Sequence, residues 1–140
     1  MKRKVLSVGL VGVLIALLTA VLTPTAALAA PTPSTSPRVI PELTNQIVPQ
    51  CPTGYACAVV YRDGPGIGFR YVFRFYHYGT YNLSNWITGG QAFNMQMDDA
   101  SMRLLGQNGA EIECIPPNDP DPALDWNPVW KIQLSPTPCY

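Results

Sequence analysis

The clearest pattern in the chain lies between Phe69 and Tyr76. Phe69, Tyr71, Phe73 and Phe75 share one parity, and Arg70, Val72, Arg74 and Tyr76 share the other. Successive side chains on a strand point to opposite faces, so this alternation predicts a β-strand with an aromatic face inward and an arginine-bearing face outward. Ala56 to Arg62 is rich in strand-favouring Val and Tyr and predicts a second strand. Asp63 to Gly68 between them, with Gly64, Pro65 and Gly66, predicts a hairpin connection.

Further along, the signals are shorter. Tyr78 to Trp86 reads as a loop or short strand, Thr88 to Gly90 as a turn, and Gln91 to Met97 as a weakly alternating segment. Ser101–Leu105 and Ala110–Ile115 flank Gln107-Asn108-Gly109, and Asn-Gly between apolar segments is a strong hairpin signal. Pro116 to Pro128 is rich in proline and aspartate and predicts a loop, and Val129 to Leu134 alternates again. No segment after residue 30 holds a helical period. Six or seven short strands with glycine turns predict an all-β fold, a small sandwich or barrel. The stretches Tyr61 to Gly66 and Leu105 to Gly109 have the look of one turn used twice.

The N-terminal pattern is different. Lys2, Arg3 and Lys4 precede an apolar run from Val5 to about Leu22, and Ala27-Leu28-Ala29 places small residues where a signal peptidase cuts. Residues 1–29 therefore predict a cleaved secretion signal, and the remaining protein an extracellular address. Residues 30–47, rich in Pro, Thr and Ser, predict a linker or disordered tail, which leaves 48–140 as a single β-sandwich domain. Without the signal, six basic residues face nine acidic ones. A net charge of −3 and no basic patch exclude nucleic acid as a partner and, once the signal is cut, an anionic membrane surface.

Four cysteines, Cys51, Cys57, Cys114 and Cys139, all follow the signal. Outside the cell an even number reads as two disulfides. Three connectivities are possible, and proximity favours Cys51–Cys57 and Cys114–Cys139. Chain entropy gives about 2.4 kcal/mol for the short loop and about 3.5 kcal/mol for the long one. A zinc site is not expected from this spacing and a single histidine, His77.

Cys51-Pro-Thr-Gly-Tyr-Ala-Cys57, the strand and glycine turn after it, Gly79-Thr-Tyr-Asn-Leu-Ser-Asn-Trp86, and the stretch from Asn94 to Gly109 resemble the secreted bacterial peptidase inhibitors of inhibitor family 36. The resemblance covers roughly residues 50–116. It implies a Greek-key β-sandwich like one βγ-crystallin domain, and inhibition of secreted metallopeptidases of the thermolysin type. The calcium motif of βγ-crystallins is not matched: Ser101 comes one position early after Asp98-Asp99, and Met102 stands where a hydroxyl belongs. Calcium needs several oxygens in one shell, so no metal and no cofactor is expected.

A substrate-like inhibitor needs a stiff exposed loop, and Glu113-Cys114-Ile115-Pro116 is the candidate. Thermolysin-type enzymes take a bulky apolar residue after the scissile bond, which Ile115 would supply, while Pro116 would stiffen the loop. The protein is expected not to be an enzyme. His77 lies at the end of an aromatic strand without a nucleophile motif, and Asp119, Asp121 and Asp125 alternate with prolines as in a solvated loop. The expected partner is an extracellular peptidase bound by a monomer. The alternatives are a carbohydrate- or cell-wall-binding module using exposed Trp86 and Trp126, and a secreted toxin or surface-interaction protein.

Overall fold

A computed structural model describes residues 31–140; the predicted signal lies outside the described residues. Ten strands run in the order β1 (Ser34–Ser36), β2 (Glu42–Thr44), β3 (Ala56–Tyr61), β4 (Arg70–Phe75), β5 (Gly79–Ser84), β6 (Gly89–Asn94), β7 (Ser101–Leu105), β8 (Glu111–Ile115), β9 (Pro120–Asp125) and β10 (Lys131–Ser135). They form two antiparallel sheets of five, ordered β1-β5-β10-β7-β8 and β2-β4-β3-β6-β9. The fold is all-β, as the alternation predicts.

The topology contains one unit twice. In β3–β6, β4 pairs with β3, β6 returns to the other side of β3, and β5 crosses to the opposite sheet. In β7–β10, β8 pairs with β7, β10 returns to the other side of β7, and β9 crosses over. Each is a Greek-key order with its third strand given to the facing sheet. The turns that look alike in sequence, at residues 62–69 and 106–110, occupy the same place in the two units.

The core is built from the inner faces of both sheets. Phe73 and Phe75 of β4 meet Trp86, at 4.6 Å, and Tyr81, at 4.7 Å. Trp86 and Trp126 meet edge to face at 4.8 Å, and each stands in the connection from third to fourth strand of its unit. Trp126 Nε1 donates to the Val59 carbonyl at 2.8 Å. It does so across Gly90, where a Cβ would lie 1.8 Å from that carbonyl and 2.1 Å from Nε1. Thr88–Gly90 is thus not a turn: Gly89 and Gly90 open β6, bare so that the indole can lie against the backbone.

Three other expectations change. Residues 34–36 and 42–44 are edge strands, not linker: β1 adds to β5 and β2 to β4. The chain between them crosses from one sheet to the other, tucking Val39 against the core. Residues 120–125 form edge strand β9, because proline and acidic residues suit an edge that must not recruit another strand. Finally, Arg70 and Val72 are buried rather than outward. The chain from Ile47 to Cys51 covers that face: Arg70 donates to the Ile47 carbonyl, Arg74 to the Gln50 carbonyl, and Cys51 is joined to Cys57.

The disulfides are Cys51–Cys57 and Cys114–Cys139, the pairing that proximity favours. Both mark a protein that folds in an oxidising environment. Among the described residues no helix is long and apolar enough to cross a membrane. The Gly90→Ala variant must expel Trp126 from its seat. It should lose about 3 kcal/mol or more of unfolding free energy, the cost of removing a large core aromatic, as read from urea denaturation.

Candidate functional site

Glu113, Cys114 and Ile115 do not form an exposed loop. They lie in β8, with Ile115 opposite Met102 and 2% exposed. Pro116 follows, partly buried. A side chain in the core cannot enter a protease cleft while the fold is intact, so the assignment of the inhibitory position to Ile115 is corrected. Trp86 and Trp126 are likewise corrected: both are core side chains and neither offers a stacking surface. Residues in connections are usually exposed, but these connections swing between sheets and carry their indoles inward.

Glu113 has a different fate. It stands opposite Leu104 on the inward parity of an edge strand, beside Asp119 and Asp121. Burial first, then the charge of Asp121 and a hydrogen bond with it, then the charge of Asp119, push its carboxyl above the usual value. An inward charge of this kind keeps an edge strand from pairing elsewhere.

The most exposed apolar side chain inside the folded body is Ile67, 98% accessible. It stands in the connection from β3 to β4, between Gly66 and Gly68. Gly64 and Gly66 have φ of 93° and 101°, conformations that favour glycine. This turn is held from several sides. The Arg62 N–H donates to the Phe69 carbonyl at 3.0 Å and closes its base. Asp63 Oδ2 accepts the Phe69 N–H at 3.2 Å. Beneath it lies the Arg70 guanidinium, 1% exposed. Its Nη2 donates to the Gly66 carbonyl at 2.5 Å and to the Gly68 carbonyl at 3.5 Å, and its Nη1 donates to Ile47 at 2.6 Å. Its carbon Cζ lies 5.4 Å from the centre of the Tyr61 ring.

A buried guanidinium must find acceptors, because an unpaired one costs several kcal/mol. Here the acceptors are loop carbonyls, so the charge holds the carbonyls of the two glycines that flank Ile67. Charge-assisted bonds are stronger than neutral ones, about 1.5–3 kcal/mol each. Exposed Phe69, Ile47, Val48 and Ile87 add apolar surface at this end of the sandwich. A groove of about 530 Å³ runs beside the loop past Tyr61, Arg62, Asp63 and Ile87. The arrangement is a rigid, protruding apolar finger with an apolar surround, fit to enter a cleft in another protein.

Sequence reasoning reads this turn only as a hairpin connection. The available signal is Ile67 itself: a bulky β-branched residue between glycines in a turn has no folding reason to be there. The chain matches no family model, no curated protein and no solved structure.

Arg70→Lys keeps a cation but loses the fork, so amide exchange at residues 64–69 should quicken while β3 and β6 keep their protection. For Glu113 the folded carboxyl titrates above its unfolded value, so the native state binds more protons in that window and stability falls as pH rises through it. Glu113→Gln should therefore melt higher than the parent at pH 7. The difference should close below about pH 4, where both carry no charge at this position.

Proposed function

We propose that this protein is an exported inhibitor of an extracellular metallopeptidase of the thermolysin type, and that the loop of residues 63–69 is its inhibitory element. The observation that carries this reading is Ile67, wholly exposed at the tip of a turn whose flanking carbonyls are pinned from below by buried Arg70. Export is supported by the basic and apolar start of the chain, the Ala27-Leu28-Ala29 site and the two disulfides. The resemblance to inhibitor family 36 supplies the enzyme class, and the two-sheet Greek-key order agrees with the βγ-crystallin-like fold it implies.

The mechanism is one of presentation without cleavage. A thermolysin-type enzyme seats a bulky apolar side chain just after the bond it cuts, which puts Ile67 in that pocket and Gly66–Ile67 at the cutting position. The carbonyl of that bond accepts from Arg70 Nη2. It is therefore turned toward the body of the inhibitor and away from an activated water. The side chain binds while the carbonyl is withheld. Because the loop is ordered before it binds, little conformational entropy is lost on association. The inhibitor acts as a monomer and needs no cofactor.

Ile67→Asp should weaken inhibition of a thermolysin-type peptidase by about 2–4 kcal/mol, the loss expected for a central anchor residue. The fold should be untouched, since Ile67 packs against nothing. Inhibition constants for parent and variant, with melting curves as the control, decide the matter; equal constants would remove this loop from the mechanism.

A further inference from the structure

Strands β3 and β6 carry a second site at their other end, about 17 Å from the loop given the length of a six-residue strand. A cleft of about 300 Å³ opens there, lined by Gly54, Tyr76, His77, Tyr78, Gln96 and Asp98. Its walls are fixed. The Gly54 N–H donates to the Met95 carbonyl at 2.7 Å and the Met95 N–H to Tyr55 at 2.9 Å, which tie the Cys51–Cys57 turn to the segment after β6. Asn94 Nδ2 donates to the carbonyls of Ala100 and Ile115, and its Oδ1 accepts the Gln96 N–H. Tyr76 is braced by Tyr55 at 5.0 Å and by the edge of His77 at 5.3 Å, yet more than half of it, like Tyr78, stays in solvent.

Gln96 is the informative residue. It is 5% exposed, and its Oε1 is buried without a hydrogen-bond partner. Nearly all buried acceptors are paired, and of the side-chain atoms that lack a partner, which also include Arg70 Nε and Gln91 Oε1, the one on Gln96 belongs to a residue that lines this cleft. Asp98 adds a carboxylate at the rim, held on a turn with φ of 57°. The cleft thus offers two exposed tyrosine rings, a carboxylate acceptor and, in its wall, the Gln96 amide, and its volume is at the small end for ligand sites. What satisfies all of these is a small molecule with a flat apolar face and hydroxyl donors around it.

We propose that this cleft is a saccharide-binding subsite, with a sugar ring stacked on Tyr76 or Tyr78 and ring hydroxyls meeting the Asp98 carboxylate and the Gln96 amide in its wall. It is independent of the inhibitory loop. An exported protein with one such subsite could be retained on extracellular glycan through this end while the other stays free.

The test is titration of the purified, oxidised protein with soluble oligosaccharides of N-acetylglucosamine and of glucose, followed by NMR, with tetramethylammonium and lysine amide alongside. Binding of a saccharide should shift resonances of Tyr76, Tyr78 and Gln96. Tyr76→Ala and Tyr78→Ala should each weaken it about fivefold to tenfold, the effect of one lost stacking contact. Gln96→Met should also weaken it while melting no lower than the parent, because the acceptor it removes has no partner in the fold; a purely structural glutamine would lower both. Binding of neither saccharide, binding unchanged in these variants, or binding of the cations in place of the sugars would each overturn the proposal.

Discussion

A single buried positive charge, that of Arg70, organises the loop end of this molecule. Arg70 opens β4 at the loop end of its sheet and is 1% exposed, so its guanidinium is shut away from solvent. It can stay ionised there only by taking carbonyls from whatever covers it. The covering chain is the passage through Ile47 on one side and the glycine loop on the other, and both supply them. The charge therefore ties two segments that share no strand pairing with each other to the start of β4. A lysine, a point charge without a planar fork, could not reach them with one geometry. The protruding Ile67 is tolerable only because the backbone beneath it is held this firmly.

The doubled Greek key explains why the two ends of the sandwich differ. Both units have a hairpin turn at the same place, yet only the first is long, glycine-rich and backed by an arginine. The second closes tightly, with Gly106 and Ala110 bonded to each other through the backbone. The two tryptophans are a matched pair in the middle, each closing the step from third to fourth strand, with Gly90 making room for one of them. That shared centre leaves the ends free to diverge: a loop with an apolar tip at one, a cleft lined by Tyr76 and Tyr78 at the other.

Much of the fold is legible in the residues. Alternation from Phe69 to Tyr76 gives β4, Asn108-Gly109 gives the β7–β8 turn, and cysteine spacing gives both bridges. The misreadings have physical causes. Gly89-Gly90 looks like a turn because only the far side chain of Trp126 explains the missing Cβ. Pro120 to Asp125 and the segments at 34–36 and 42–44 look like loops because edge strands carry the residues that loops do. Arg70 looks outward because parity says which face a residue takes, not whether another segment covers that face. The site was the least legible part. Ile115 and Ile67 are equally apolar in sequence, and only tertiary pairing buries the first and exposes the second.

Hydrogen exchange of the protein in complex with a thermolysin-type metallopeptidase distinguishes the loop above Arg70 from β8 as the part that enters the enzyme. Protection should rise at residues 63–69 and at Ile47 and Val48, and should not change at residues 113–117. Protection that rises at 113–117, or nowhere in 63–69, would contradict the assignment of the loop above Arg70 as the part that enters the enzyme.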